Sequence, residues 1–361
     1  MSKLYIGVMS GTSLDGVDVV LCEIDESSCR LLLSYEYGFD QVLKKEILHV
    51  ISHESSLAQT GRLNHRLGLL FANSVNSLLK HHNIDRNSIR AIGLHGQTLW
   101  HESSGNYPFS MQLGDANVVS VETGIDVVCD FRSKDVAFGG QGAPFAPAFH
   151  EFLFQDLKNT CILNIGGMAN ITVLGETLLG YDSGPGNVLM DAWIAEHKNL
   201  PYDADGAWAQ SGVFNVELLK QFLDEPFFMQ SAPKSTGREI FNLQWLHKRL
   251  YSSNLSSKDV QATLLELTVR TIADEVKKFD VTQLLVCGGG VKNHFLMQRL
   301  NEELLDVKVT STDIYGVSSE FMEAMAFAWL AHKRLNRESV NLKEVTGASQ
   351  NAILGGVYAA H

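Results

Sequence analysis

The stretch Leu4-Tyr5-Ile6-Gly7-Val8-Met9-Ser10-Gly11-Thr12-Ser13-Leu14-Asp15-Gly16-Val17-Asp18-Val19-Val20-Leu21-Cys22-Glu23-Ile24 decides the fold class. Two apolar, β-prone runs flank a polar turn that contains glycine, which is the pattern of a hairpin. About 155 residues further on, the run 161–165 meets Gly166-Gly167-Met168-Ala169-Asn170 and returns as 171–174, repeating that layout. Two readings follow: two related α/β halves, or two unrelated hairpins.

Working outward, Leu63, Leu67, Leu70, Phe71, Val75, Leu78 and Leu79 fall at helical spacing and predict a helix over 62–82, after a loop rich in Ser and Gln. Residues 89–94 read as a buried strand that stops at His95-Gly96-Gln97-Thr98. A β-prone run over 124–131 leads into a loop, Arg132-Ser133-Lys134-Asp135, and a flexible Gly139-Gly140-Gln141-Gly142-Ala143-Pro144. A domain boundary is expected here, giving domains 1–130 and 131–361, with the last residues free to return to the first. Downstream, Asn187 is placed to cap a helix over 188–197, and residues 258–279 form a longer amphipathic helix. A strand at 284–286 ends at Cys287-Gly288-Gly289-Gly290 before a helix over 293–304. An apolar helix over 319–334 carries Glu320 and Glu323 near its start.

With 361 residues the chain is long enough for two domains and a sizeable core. Its 45% hydrophobic and 19% charged residues are those of a folded globular protein. A formal net charge of -12 disfavours nucleic acid or an anionic membrane as the main partner. It leaves room for a phosphate held by backbone amides, which needs no surplus of Lys and Arg. The five scattered cysteines, three of them in apolar runs, fit reduced buried thiols and a cytoplasmic location. No apolar run has the length of a membrane span or the form of a signal peptide.

The turn from Gly11 to Gly16 offers amides, hydroxyls and a carboxylate suited to wrapping a polyphosphate, although any exposed hairpin turn favours the same residues. It is not a Walker loop, since no Gly-Lys-[Ser/Thr] occurs. Gly166-Gly167 forms a second turn where backbone can approach an anion. Gly288-Gly289-Gly290 forms a third, where a strand hands over to a helix. Together the three point to a phosphate ligand. Asp182, in Gly180-Tyr181-Asp182-Ser183-Gly184-Pro185-Gly186-Asn187, is placed in a loop before a helix, either as a cap or Asx turn or as a base at the mouth of a cleft. His95 and Gln97 stand where a polar substrate can be positioned, or where a histidine is simply satisfied by its surroundings. Arg132 and Asp135 share a loop and can pair with each other. Neither HExxH nor CxxC spacing occurs, so a dedicated transition-metal site is not expected.

The motifs quoted above, together with Pro233-Lys234-Ser235-Thr236-Gly237-Arg238-Glu239 and Val345-Thr346-Gly347-Ala348-Ser349-Gln350, occur in one order over residues 4–355. In these the chain resembles the anhydro-N-acetylmuramic acid kinases. The resemblance implies an α/β fold of two RNase H-like domains, as in actin, Hsp70 and sugar kinases, with ATP in the cleft between them and Mg²⁺ as its metal. Gly11, Thr12, Ser13, Leu14, Asp15, Gly16, Val17 and Asp18 then form the first phosphate loop, Gly166 and Gly167 the second, and Gly288, Gly289 and Gly290 the adenosine-side loop. Many members of the wider superfamily carry Asp at the end of the first strand. This chain has Met9-Ser10 there, which leaves the Mg²⁺ ligands unassigned among Asp15, Asp18 and Asp182. The implied reaction opens the anhydro ring of the muramyl sugar with water and phosphorylates O6, with Asp182 as base and Glu323 as a second carboxylate. Sugar contacts are expected from His95, Gln97, Arg132, Asp135 and Gly184, with Arg132 suited to the lactyl carboxylate. A homodimer is implied as well.

Overall fold

The computed structural model describes residues 2–11, 14, 16–250 and 254–361. Its strands, in chain order, are β1 (Lys3–Ser10), β2 (Gly16–Ile24), β3 (Cys29–Gly38), β4 (Ile89–Leu94), β5 (Gln97–Glu102), β6 (Phe109–Leu113), β7 (Val127–Cys129), β8 (Thr160–Ile165), β9 (Met168–Leu174), β10 (Leu179–Pro185), β11 (Gln283–Cys287), β12 (Lys308–Ser311) and β13 (Gly356–Tyr358). Two compact units share them. One comprises Met1–Leu153 with Phe321–His361, the other Phe154–Glu320.

The sheet of the first unit runs β3-β2-β1-β4-β7-β13, and that of the second runs β10-β9-β8-β11-β12. In each, three antiparallel strands are extended by two more that lie parallel to the first. The order 3-2-1-4-5, reached independently by two stretches of chain, is the RNase H-like arrangement. The two hairpins of the sequence therefore open two copies of one topology. In β1, Tyr5, Ile6 and Val8 are all fully buried, as expected of a strand covered on both faces.

What covers β1 and β4 is the apolar helix Met322–Leu335. The approach is close enough to demand glycine. A Cβ built on Gly7 would stand 1.9 Å from the Ala324 carbonyl oxygen, and one on Gly93 would stand 1.9 Å from that of Phe327. Neighbouring strands thus present a bare patch against which the helix backbone lies. β13 then adds to the edge at β7. This docking assigns 321–361 to the first unit, and the division falls after Leu153, not near residue 130.

Three further elements differ from the sequence reading. The helix expected over 62–82 spans Leu57–His81, because Ser56 and Gln59 form a capping box inside the presumed loop. Arg132–Ala137 is a short helix, not a loop. Asp182 lies within β10, which pairs with β9 and is bulged between Asp182 and Gly184. Among the described residues, no helix is long and apolar enough to cross a membrane.

Several buried histidines contribute to stability in a pH-dependent way. Burial pushes His95 and His150 down from 6.5 to about 3, and it lowers His332, which stands edge-on to Tyr5. A histidine with a depressed folded value binds fewer protons folded than unfolded, so stability rises with pH between the two values. Two outcomes are expected. Gly93→Ala should cost about 3 kcal/mol or more through overpacking, whereas Gly38→Ala, whose Cβ would meet nothing within 4 Å, should be close to neutral in denaturant titration. Thermal stability should fall as pH is lowered from about 6.5 to about 4.5, and His150→Leu should show a shallower loss over the same window in scanning calorimetry.

Candidate active site

In the first unit the polar groups gather where β1 and β4 end side by side. Ser10 donates from Oγ to Gln97 Oε1 at 2.6 Å, and Gln97 Nε2 reaches the Gly11 carbonyl at 3.4 Å. Gln97 is fully buried. His95 bridges two groups: Nδ1 lies 3.3 Å from the Ser10 carbonyl, and Nε2 lies 3.0 Å from Arg132 Nη2. A guanidinium only donates, so Nε2 is the acceptor and Nδ1 carries the proton. The imidazole is accordingly neutral, in keeping with its low value, which burial causes and the Arg132 charge reinforces.

Arg132 also donates from Nη1 to the Gly142 carbonyl at 2.9 Å and lies over the Phe145 ring. Burial lowers it to about 10, opposed by the charge of Glu323, so it stays cationic at neutral pH. Its buried Nε has no partner among the described residues, which leaves a donor for a ligand. Glu323 is exposed in the first turn of Met322–Leu335. Asp135 is placed differently. It is 2% exposed and does not pair with Arg132; its oxygens accept from the Gly142 amide at 2.7 Å and the Thr346 hydroxyl at 2.9 Å, tying down the 139–142 loop. Of the expected first phosphate loop, Thr12, Ser13 and Asp15 lie outside the described residues. Leu14 and Val17 are core side chains, which leaves only their backbone for a ligand, and Asp18 pairs across the hairpin with Met9.

In the second unit Asp182 is half-buried. Its Oδ2 accepts from the Thr236 amide at 2.9 Å and the Ser235 hydroxyl at 3.1 Å, and its own amide donates to the Lys234 carbonyl at 3.0 Å. Among the described residues Oδ1 accepts no hydrogen bond. Burial raises the carboxyl above its ordinary value, Thr236 and Ser235 work against this, and the charge of Glu239 adds to it. A carboxylate so placed is a stronger base than one in water. The sequence marks 233–239 as a motif without a role; the structure shows it to be the segment that holds Asp182. Gly184, with a φ of 153°, backs onto Phe228 and Thr271.

The Gly166-Gly167 turn faces the start of helix Val188–Lys198. Gly186, Asn187 and Val188 donate their amides to the carbonyls of Gly167, Gly166 and Gly167 at 2.9, 2.9 and 3.0 Å. Asn187 occupies the N-cap position without a side-chain cap bond and instead points Nδ2 at the Ile165 carbonyl. A Cβ on Gly288 would fall 2.4 Å from Asn164 Oδ1, and one on Gly290 would fall 2.4 Å from Ile165 Cγ2, so both glycines are required by packing. Gly289, by contrast, has nothing within 4 Å and borders a cavity of about 540 Å³ lined by Asn187, Met190, Asp191, Tyr202 and Lys292. The cavity is large enough for a nucleoside. Among the described residues, no group of three or more His, Cys, Asp or Glu side chains is placed to hold a metal ion.

Comparison with known proteins covers almost the whole chain. The family model described as anhydro-N-acetylmuramic acid kinase matches residues 3–360. Proteins of that name from Sulfurovum sp. (strain NBC37-1) and Sulfurimonas denitrificans are 60% and 56% identical, covering 98% and 99% of this chain and 98% and 100% of their own lengths. The one from Vibrio vulnificus (strain CMCP6) is 52% identical over 99% of this chain and 98% of its own. Among solved structures, an activator of 2-hydroxyisocaproyl-CoA dehydratase from Clostridium difficile is 13% identical with a TM-score of 0.47, covering 97% of this chain and 100% of that one. The chain belongs to the anhydro-N-acetylmuramic acid kinase family.

Proposed function

We propose that the chain is an ATP-dependent kinase that hydrolyses the 1,6-anhydro ring of anhydro-N-acetylmuramic acid and phosphorylates O6, yielding N-acetylmuramate 6-phosphate and ADP. Family membership supports the substrate. The observation that carries the chemistry is Asp182: a partly buried carboxylate with a raised proton affinity, one oxygen held by Thr236 and Ser235 and the other left for a ligand.

In this reading Asp182 takes a proton from the water that attacks C1. The C1–O6 bond breaks as the new C1–O bond forms. O6, leaving with the electron pair, attacks the γ-phosphorus and displaces ADP, so no separate acid is needed for the leaving oxygen. Phosphoryl transfer then asks chiefly for positioning and charge neutralisation.

Residues Gly11–Asp18 and Gly166-Gly167 serve the phosphates, and Gly288–Gly290 with the adjoining cavity serves the adenosine. Mg²⁺ commonly binds nucleotide phosphates with one or two carboxylates and water, and bound with the nucleotide it would neutralise phosphate charge. Arg132, with its spare buried donor, is matched to the lactyl carboxylate. His95, as a neutral acceptor, fixes the guanidinium for that task, Asp135 holds the adjoining 139–142 loop in place rather than touching the sugar, and Gln97 and Gly184 complete the sugar contacts. Glu323 orients the water or the sugar. A cytoplasmic homodimer, acting in cell-wall recycling, completes the reading and rests on the family relationship.

Asp182→Asn should bind ATP and sugar normally while losing ring opening and phosphorylation together, by about 10²-fold or more. ADP release and the appearance of a reducing sugar, measured in parallel, check this. Near-normal turnover by the variant, or ADP release without a reducing end, would exclude Asp182 as the shared base.

A further inference from the structure

Behind Asp182 lies a buried charged cluster that the reaction itself does not use. Lys234 Nζ and Glu275 Oε1 are 2.6 Å apart, and their side chains are 1% and 6% exposed. The second oxygen of Glu275 accepts from the Tyr181 hydroxyl at 3.0 Å and from Lys278 Nζ at 2.6 Å. The Lys234 ammonium also lies over the Phe227 ring, 4.9 Å from its centroid. Such a pair is a poor source of stability, because the cost of desolvating two charges offsets most of their attraction. It does, however, dictate where its two chain segments sit.

Those segments are the two that define the surroundings of Asp182. Tyr181 is its neighbour on β10, and Lys234 immediately precedes the Ser235 hydroxyl and Thr236 amide that hold Oδ2. The Lys234 carbonyl accepts the Asp182 amide as well. One carboxylate, on helix Ser257–Val276, thereby anchors both the strand that carries the base and the segment that orients it. We infer that Lys234, Glu275 and Tyr181 are positioning residues that fix the carboxylate of Asp182 in its working orientation, acting through the backbone on either side of it. The Tyr181 proton is kept in place for this: burial and the adjoining Glu275 both raise its hydroxyl well above the ordinary value.

This inference rests on the reading of Asp182 as base, and the experiment separates the two. Lys234→Met and Tyr181→Phe are assayed with ATP and the anhydro sugar, each alone and combined with Asp182→Asn, alongside thermal melting. The expected result is a fall in kcat of about 10²-fold for Lys234→Met and about tenfold for Tyr181→Phe, with KM for ATP unchanged. Neither change should lower the residual rate further once Asp182 is Asn, because the group being positioned is gone. Folded variants with kcat within about twofold of the parent would overturn the inference. So would the same fold-loss in the Asp182→Asn background, which marks a general structural role. If Lys234→Met does not fold, Tyr181→Phe, which removes one hydroxyl from the cluster, decides alone. An active Asp182→Asn single variant would instead remove the base assignment on which the inference stands.

Discussion

The contact on which the first unit depends is the one between the backbone of helix Met322–Leu335 and the bare faces of Gly7 and Gly93. No side chain separates helix from sheet there, so the helix has one depth and one register at which it can lie. That constraint reaches the polar groups. Phe327 on the same helix packs its ring, tilted by 40°, with its centroid 4.7 Å from that of His95, and Glu323 is carried to where its charge acts on Arg132. A segment more than two hundred residues distant in sequence thus completes the unit that the N-terminal hairpin begins.

The second unit uses the same strand order for a different purpose. Its hairpin turn is closed by the amides of Gly186, Asn187 and Val188, which lead into the helix after β10, and its third strand bears the carboxylate. The 97-residue stretch between β10 and β11 supplies what surrounds Asp182: the 234–236 segment on one side and the buried Glu275 that anchors it. In the first unit the strand ends are instead linked by neutral and cationic groups, Ser10 to Gln97 and Ser10 to His95 to Arg132. One topology therefore carries a half-buried carboxylate, Asp182, in one copy and a buried guanidinium, Arg132, in the other.

Local pattern served well wherever periodicity and burial agree. The strands at 89–94, 161–165 and 284–286 and the helix over 258–279 appear within a few residues of their expected bounds. β3 and the β5–β6 ribbon escaped notice because they are only partly buried, even though residues 33–37 and Phe109–Leu113 alternate between apolar and polar side chains. The start of Leu57–His81 was legible as Ser56 followed by Gln59, a signal that the polarity of the segment obscured. Arg132–Ala137 is a single turn and a half between Gly- and Phe-containing loops, too short for a helical period to show.

The sequence by itself determined that the chain holds two similar hairpins, that three glycine turns lie in it, and that the ordered motifs belong to one family of kinases. These are properties of short segments, set by β-propensity, turn chemistry and spacing, and they survive without knowledge of long-range contacts. The strand orders of the two sheets decided that the hairpins open two copies of one topology. Only the tertiary structure decided which polar residues work together. It assigned Asp135 to a loop and Thr346 rather than to Arg132, and His95 to Arg132 as a neutral acceptor. It also gave Asp182 its three neighbours from residues 234–236. The reason is physical: a hydrogen bond or a buried charge takes its value from partners brought in by the fold, 37 residues away for His95 and Arg132 and 211 for Asp135 and Thr346, and no local pattern encodes them.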